Sequence, residues 1–150
     1  MFFNKIIINN RMKDKVLEKM KNITRMKKFV KLGFDDCSID FRVRDVNGKD
    51  VRTLIELVDG YNYFVGKDVG KAIEKIDKVW DNSEWLSYTF GREGSCVLYI
   101  RIPYWKTDTE KYTEEEKKER IERTFDILKA VKTDELWVEE KRNSIRAWWD

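Results

Sequence analysis

The chain has 150 residues, 39% of them charged and 13% aromatic, with one proline, seven glycines and a formal net charge of +3. This excludes low-complexity and intrinsically disordered classes, and it suits a single domain, residues 1–150, whose core needs no disulfide or metal. Histidine is absent, which excludes serine, cysteine and zinc mechanisms built on imidazole.

The charge is unevenly spread. Residues 1–32 carry ten Lys or Arg against Asp14 and Glu18, a balance of +8 that leaves the rest of the chain at −5. A basic end on a mildly acidic body points to an anionic partner, either nucleic acid or a nucleic-acid-processing protein complex. The first element in chain order is the apolar run Ile6–Ile8, too short for a signal peptide or a membrane span. Residues 1–10 are therefore expected as a loose arm or an edge strand, in a cytoplasmic protein without membrane association. From Arg11 to Leu32, apolar residues at Met12, Val16, Met20, Ile23 and Val30 describe one helix face, with Asn10 as N-cap and Gly33 at the end. Lys21, Arg25 and Lys28 fall together on the opposite face.

Between Asp36 and Val65 the apolar residues alternate, and Val46-Asn47-Gly48 and Val58-Asp59-Gly60 have the composition of turns. A two-residue loop at Asn47-Gly48 would oppose Val43 with Arg52 and Ile39 with Glu56, mixing apolar and charged groups on one face. A three-residue loop opposes Val43 with Val51, Phe41 with Thr53, Ile39 with Ile55 and Cys37 with Leu57. The expectation is a three-stranded meander whose outer face sets Arg42 opposite Arg52, with Arg44, Leu54 and Phe64 alongside. Like charges directly opposed need a neutralising group. Asp50 and Asp40 could supply it within the chain, or an anionic ligand could.

Asp68 can then cap a helix with Val69, Ala72, Ile73, Ile76, Val79 and Trp80 on one face. A hairpin of Glu84–Phe90 and Ser95–Ile102 about Arg92-Glu93-Gly94 would oppose Phe90 with Cys96 and Tyr88 with Leu98. Its other face carries Trp85, Tyr99 and Arg101, which would extend the basic platform if both hairpins share one sheet. Cys37 and Cys96 both occupy apolar strand positions, where reduced, buried thiols are expected. Thr113-Glu114-Glu115-Glu116 forms a capping box, opening a helix that turns Ile121, Phe125, Leu128 and Val131 inward. Residues 135–139 and 145–149 make a final hairpin of open register. The resulting order, α-βββ-α-ββ-α-ββ, is an α+β fold with a largely antiparallel sheet packed against helices.

Motifs for chemistry are weak. Gly66-Lys67-Asp68-Val69-Gly70-Lys71 has one residue too few for a phosphate loop, and Ala72 stands where a magnesium-binding hydroxyl belongs. Glu139 and Lys141 provide the Glu-x-Lys of a carboxylate-dependent nuclease, but Asp126 and Asp134 are poorly spaced as its partner acid. Asp35, Asp36 and Asp40 read as loop and strand-exit acids. Trp137, Trp148 and Trp149 near the end, with Tyr104 and Trp105, leave room for one exposed aromatic patch.

No cofactor or metal is called for. The function expected is a small noncatalytic binding protein acting through Lys21, Arg25, Lys28, Arg42, Arg44 and Arg52. An anti-defence inhibitor from a phage or mobile element, occluding a host nuclease or nucleoprotein complex, is one such protein. The alternative is direct RNA or single-stranded DNA binding, and a weaker one is the metal-dependent nuclease.

Overall fold

The computed structural model describes residues 24, 25, 27, 28, 30, 31, 33 and 40–150. The expected arm over residues 1–10, Asn10, Lys21, Asp35, Asp36, Cys37 and Ile39 all lie outside the described residues. The elements are β1 (Phe41–Val46), α1 (Gly48–Ile55), α2 (Gly66–Val79), β2 (Ser87–Glu93), β3 (Ser95–Arg101), α3 (Glu114–Lys129), β4 (Glu135–Glu139) and β5 (Ser144–Trp148). The described residues between 24 and 33 are also helical.

The fold is α+β: the strands form one antiparallel sheet in the order β1-β2-β3-β5-β4, packed against helices. Strand parity explains the layering. Tyr88 and Phe90 of β2, Cys96, Leu98 and Ile100 of β3, and Ile145 and Ala147 of β5 point to one side. They form a single core cluster with Val51, Leu54 and Ile55 of α1, Val69, Ile73 and Ile76 of α2, and Leu128 of α3. Val30 joins the same cluster, and a Cβ on Gly33 would come within 2.1 Å of the Phe41 ring, so the helical segment before β1 lies on this side as well.

The expected meander is not formed, since only its first strand exists. Asn47 does not sit in a hairpin loop; it N-caps α1, its side chain accepting from the Asp50 backbone N–H at 2.8 Å. Val51, Leu54, Ile55 and Val58 satisfy a helical spacing as well as Val51, Thr53, Ile55 and Leu57 satisfy an alternating one. The capped helix wins because it buries Leu54 while leaving Lys49, Asp50 and Glu56 in solvent. Val43 consequently pairs with Phe90, not Val51, and Arg42 lies opposite Gly91, not Arg52. The second expected turn also moves: Tyr61 and Phe64 bridge each other around Asn62 at φ 54°. Leu54 and Phe64, expected beside the arginines, are both in the core.

The remaining elements follow their sequence signals closely. α2 begins at Gly66, earlier than an Asp68 cap implies, but buries the expected face. The capping box at Thr113 and Glu116 is present. The β2–β3 hairpin turns tightly at Gly94 (φ 73°), so Phe90 opposes Leu98 and Tyr88 opposes Ile100. This register differs by two residues from the three-residue loop, so every side chain keeps its face. The final hairpin pairs Glu135 with Trp148 and Val138 with Ile145. Cys96 is a free, fully buried thiol. Among the described residues no helix is long and apolar enough to cross a membrane.

Trp149 and Trp80 are fully buried and donate their indole N–H groups to Val131 O at 2.9 Å and Thr124 Oγ1 at 3.0 Å. Under the sheet, the Tyr88 hydroxyl donates to Asp77 Oδ1 at 2.6 Å. Burial raises the Asp77 pKa above its ordinary value, against the opposing pull of that hydrogen bond and of Arg52. The folded state therefore holds this proton more tightly than the unfolded chain does, and the group's contribution to stability falls as pH rises through the folded pKa.

Two outcomes are expected from chemical denaturation. Asn47→Ala lowers the unfolding free energy by about 1 kcal/mol through loss of the N-cap, whereas a hairpin loop here would show no helix loss by circular dichroism. Asp77→Asn, which still accepts from Tyr88, weakens the decline in stability that sets in as pH rises above the ordinary carboxylate range, relative to wild type. An unchanged slope would show that Asp77 titrates normally.

Candidate anionic-partner interface on the open sheet face

The side chains that parity turns away from the core form a second face, on which no helix packs among the described residues. From β1 it carries Arg42 and Arg44, from β2 Ser87, Thr89 and Glu93, and from β3 Tyr99 and Arg101. β5 adds Ser144 and Arg146, and β4 adds Glu135, Trp137 and Glu139. The expected joining of Arg42 and Arg44 with Tyr99 and Arg101 on one sheet is thus realised, although through a different first hairpin.

The centre of this face is a network around Glu93, to which Glu135 of β4 adds an ion pair with Arg146 at 3.6 Å. Glu93 is ion-paired with Arg42, and with Arg146 at 3.3 Å, and accepts from the Tyr99 hydroxyl at 3.0 Å. Arg146 Nε donates to the same hydroxyl at 3.2 Å, and its guanidinium lies 4.2 Å from the Trp137 ring centroid. Burial raises the Tyr99 pKa, with the Arg146 hydrogen bond opposing, so the hydroxyl remains a donor at neutral pH. Charge-assisted bonds of this kind, converging on one acceptor, hold the cations in place and neutralise the middle of the sheet.

One end of the face is open instead. A recess of about 130 Å³ is lined by four arginines, Arg42, Arg44, Arg101 and Arg142, and by the hydroxyl-bearing residues Ser87, Thr89, Tyr99 and Ser144. Asp45 is its single carboxylate, paired with Arg101 at 3.8 Å. A β-bulge between Val43 and Val46 creates this corner, with Asp45 held at φ 52° and its backbone N–H donating to Thr89 Oγ1 at 3.2 Å. Bulges re-aim side chains, and a non-glycine residue at positive φ is strain retained only where its surroundings enforce it. Arg44 and Arg142 have no carboxylate partner among the described residues.

The other expected binding residues lie elsewhere. Arg52 is on α1, ion-paired with Glu74 of α2 at 3.2 Å, on the helical side. Arg25 and Lys28 are exposed on the helical segment before β1; Lys21 is outside the described residues. Asp40, one expected neutraliser of Arg52, instead pairs with the buried Arg92 at 3.6 Å. Asp50 serves the α1 cap. Glu139 ends β4 and Lys141 lies in the following 3-10 turn, and no three potential metal-ligating side chains gather among the described residues. Sequence reasoning missed Glu93, Arg142, Ser144 and Arg146. The β5 parity could have found Ser144 and Arg146 had its register been known, whereas Arg142 arrives from a turn that carries no periodic signal.

No protein-family model matches the chain, and neither curated proteins nor solved structures show a significant similarity to it. The reading of this face therefore rests on its own chemistry.

Glu93→Gln should lower stability by about 1–2 kcal/mol, the value of hydrogen bonds to charged groups reduced for a side chain that is 21% exposed. The variant should also shift Trp137 fluorescence, as Arg146, left with Glu135 as its carboxylate partner, moves over the indole ring. A variant of wild-type stability and spectrum would mean that the network does not order this face.

Proposed function

We propose that the chain is a noncatalytic binding protein that captures a negatively charged partner on the open sheet face. The observation that carries this reading is the convergence of Arg44, Arg101 and Arg142 on one hydroxyl-lined recess, with a single carboxylate, Asp45, to oppose them. Guanidinium groups cannot be deprotonated in proteins and match oxyanions in a planar, two-pronged geometry. Such a protein works by occlusion, since it covers what it binds and needs no acid, base or nucleophile of its own. An inhibitor that blocks a nuclease or nucleoprotein complex, of phage or mobile-element origin, fits that mode of action. Arg25 and Lys28 add positive charge on the helical side and favour encounter with an anionic surface over distance.

A second reading, direct RNA or single-stranded DNA binding, is favoured by the placement of Tyr99 and the half-exposed Trp137 on the same face as the arginines. Glu93 at the centre of that face limits it, because it already engages Arg42, Arg146 and the Tyr99 hydroxyl that would otherwise meet a phosphate backbone crossing the strands.

The test uses the immobilised full chain and extract from its native host. Wild-type protein should capture its partner at about 50 mM salt and release it as salt rises, because exposed charges are increasingly screened. The triple variant Arg44→Glu/Arg101→Glu/Arg142→Glu should bind at least about tenfold more weakly with an unaltered melting curve. Capture that persists undiminished in a folded triple variant would remove this face as the interface.

A further inference from the structure

We propose that the recess at the basic end of the sheet is a receptor for a single terminal phosphate group, the phosphomonoester at the end of a nucleic acid strand. This deepens the proposed anionic interface and rests on it.

Three features favour an end over the interior of a strand. The recess is small, about 130 Å³, and suits one tetrahedral oxyanion. Its charge is concentrated: Arg44 and Arg142 have no carboxylate partner among the described residues, while Arg101 is held only by an exposed ion pair of 3.8 Å to Asp45. A terminal phosphate carries about −1.5 to −2 charge at neutral pH and three acceptor oxygens, more than a phosphodiester link can offer to three guanidinium groups. Ser87 and Thr89 supply hydroxyls at the recess wall for further hydrogen bonds.

The surroundings set the direction. Beyond the recess, across the strands, Glu93 accepts from Tyr99 and is paired with two arginines. There Arg42 and Arg146 are already engaged by Glu93 and offer a second phosphate no free guanidinium, so the strand leaves toward solvent after its terminal phosphate has docked. Trp85, 51% exposed and two residues before Ser87, lies at this end of β2 and offers a ring to the terminal base. A phosphorylated protein segment would carry the same oxyanion, but it would have no base to stack on that indole.

Fluorescence anisotropy of the full chain with a short single-stranded DNA, labelled at its 3′ end, tests this. The 5′-phosphorylated oligonucleotide should bind at least about tenfold more tightly than the same sequence with a 5′-hydroxyl. Arg44→Glu/Arg142→Glu should abolish that difference, and Arg123→Glu, on the exposed surface of α3, should preserve it. If the double charge reversal disturbs folding, Arg44→Gln/Arg142→Gln serves in its place. Equal affinity for the two ends overturns the proposal. If the charge-reversed variants then still lose capture of the host partner, the interface stands without the phosphate site; if they lose neither, both readings fall.

Discussion

Alternation along β2 and β3 is the constraint on which the rest of this molecule depends. Once Gly94 closes these two strands into a tight hairpin, Tyr88, Phe90, Cys96, Leu98 and Ile100 must share one side and Thr89, Glu93, Tyr99 and Arg101 the other. The helices have apolar faces to bury and only one apolar sheet surface to bury them on. Those among the described residues collect on that side, in a single core. The opposite surface, left without a cover among the described residues, has to satisfy its charges by itself.

It does so unevenly. At the centre, one carboxylate on β2 gathers the cations and the hydroxyl around it, and Arg146 is held between Tyr99 and Trp137. In the recess nearest the β1 bulge the lining carboxylates fall to Asp45, while arginines arrive from β1, β3 and the turn before β5. The imbalance is local, and its cations are guanidinium groups, which match oxyanions in a planar, two-pronged geometry.

Several parts of this architecture were legible in advance, for reasons that can be named. The capping box at Thr113 and Glu116 is a local exchange of hydrogen bonds that needs no tertiary partner. The buried face of α2 repeats every three to four residues over four turns, too long a run to be mistaken. The β2–β3 hairpin was recognisable even with its register displaced by two, because a shift of two preserves faces. Around Asn47 the same kind of reasoning failed. Asn-Gly is both a turn dipeptide and an N-cap followed by the first helical residue, and eight residues of α1 are too few for periodicity to decide between them.

By itself, then, the sequence determined the α+β class, most of the helices, the parity of the central hairpin and the absence of imidazole chemistry, because each depends on composition or on interactions within a few residues. Only the tertiary structure decided which arginines meet. Arg42 and Arg52 are ten residues apart, and one helix in place of a strand sends them to opposite sides of the sheet. Arg101 and Arg142 are separated by a loop, a long helix and a strand, yet line one recess because β5 inserts beside β3. Strand order is set by how the whole apolar surface is buried, a global quantity that no local pattern encodes.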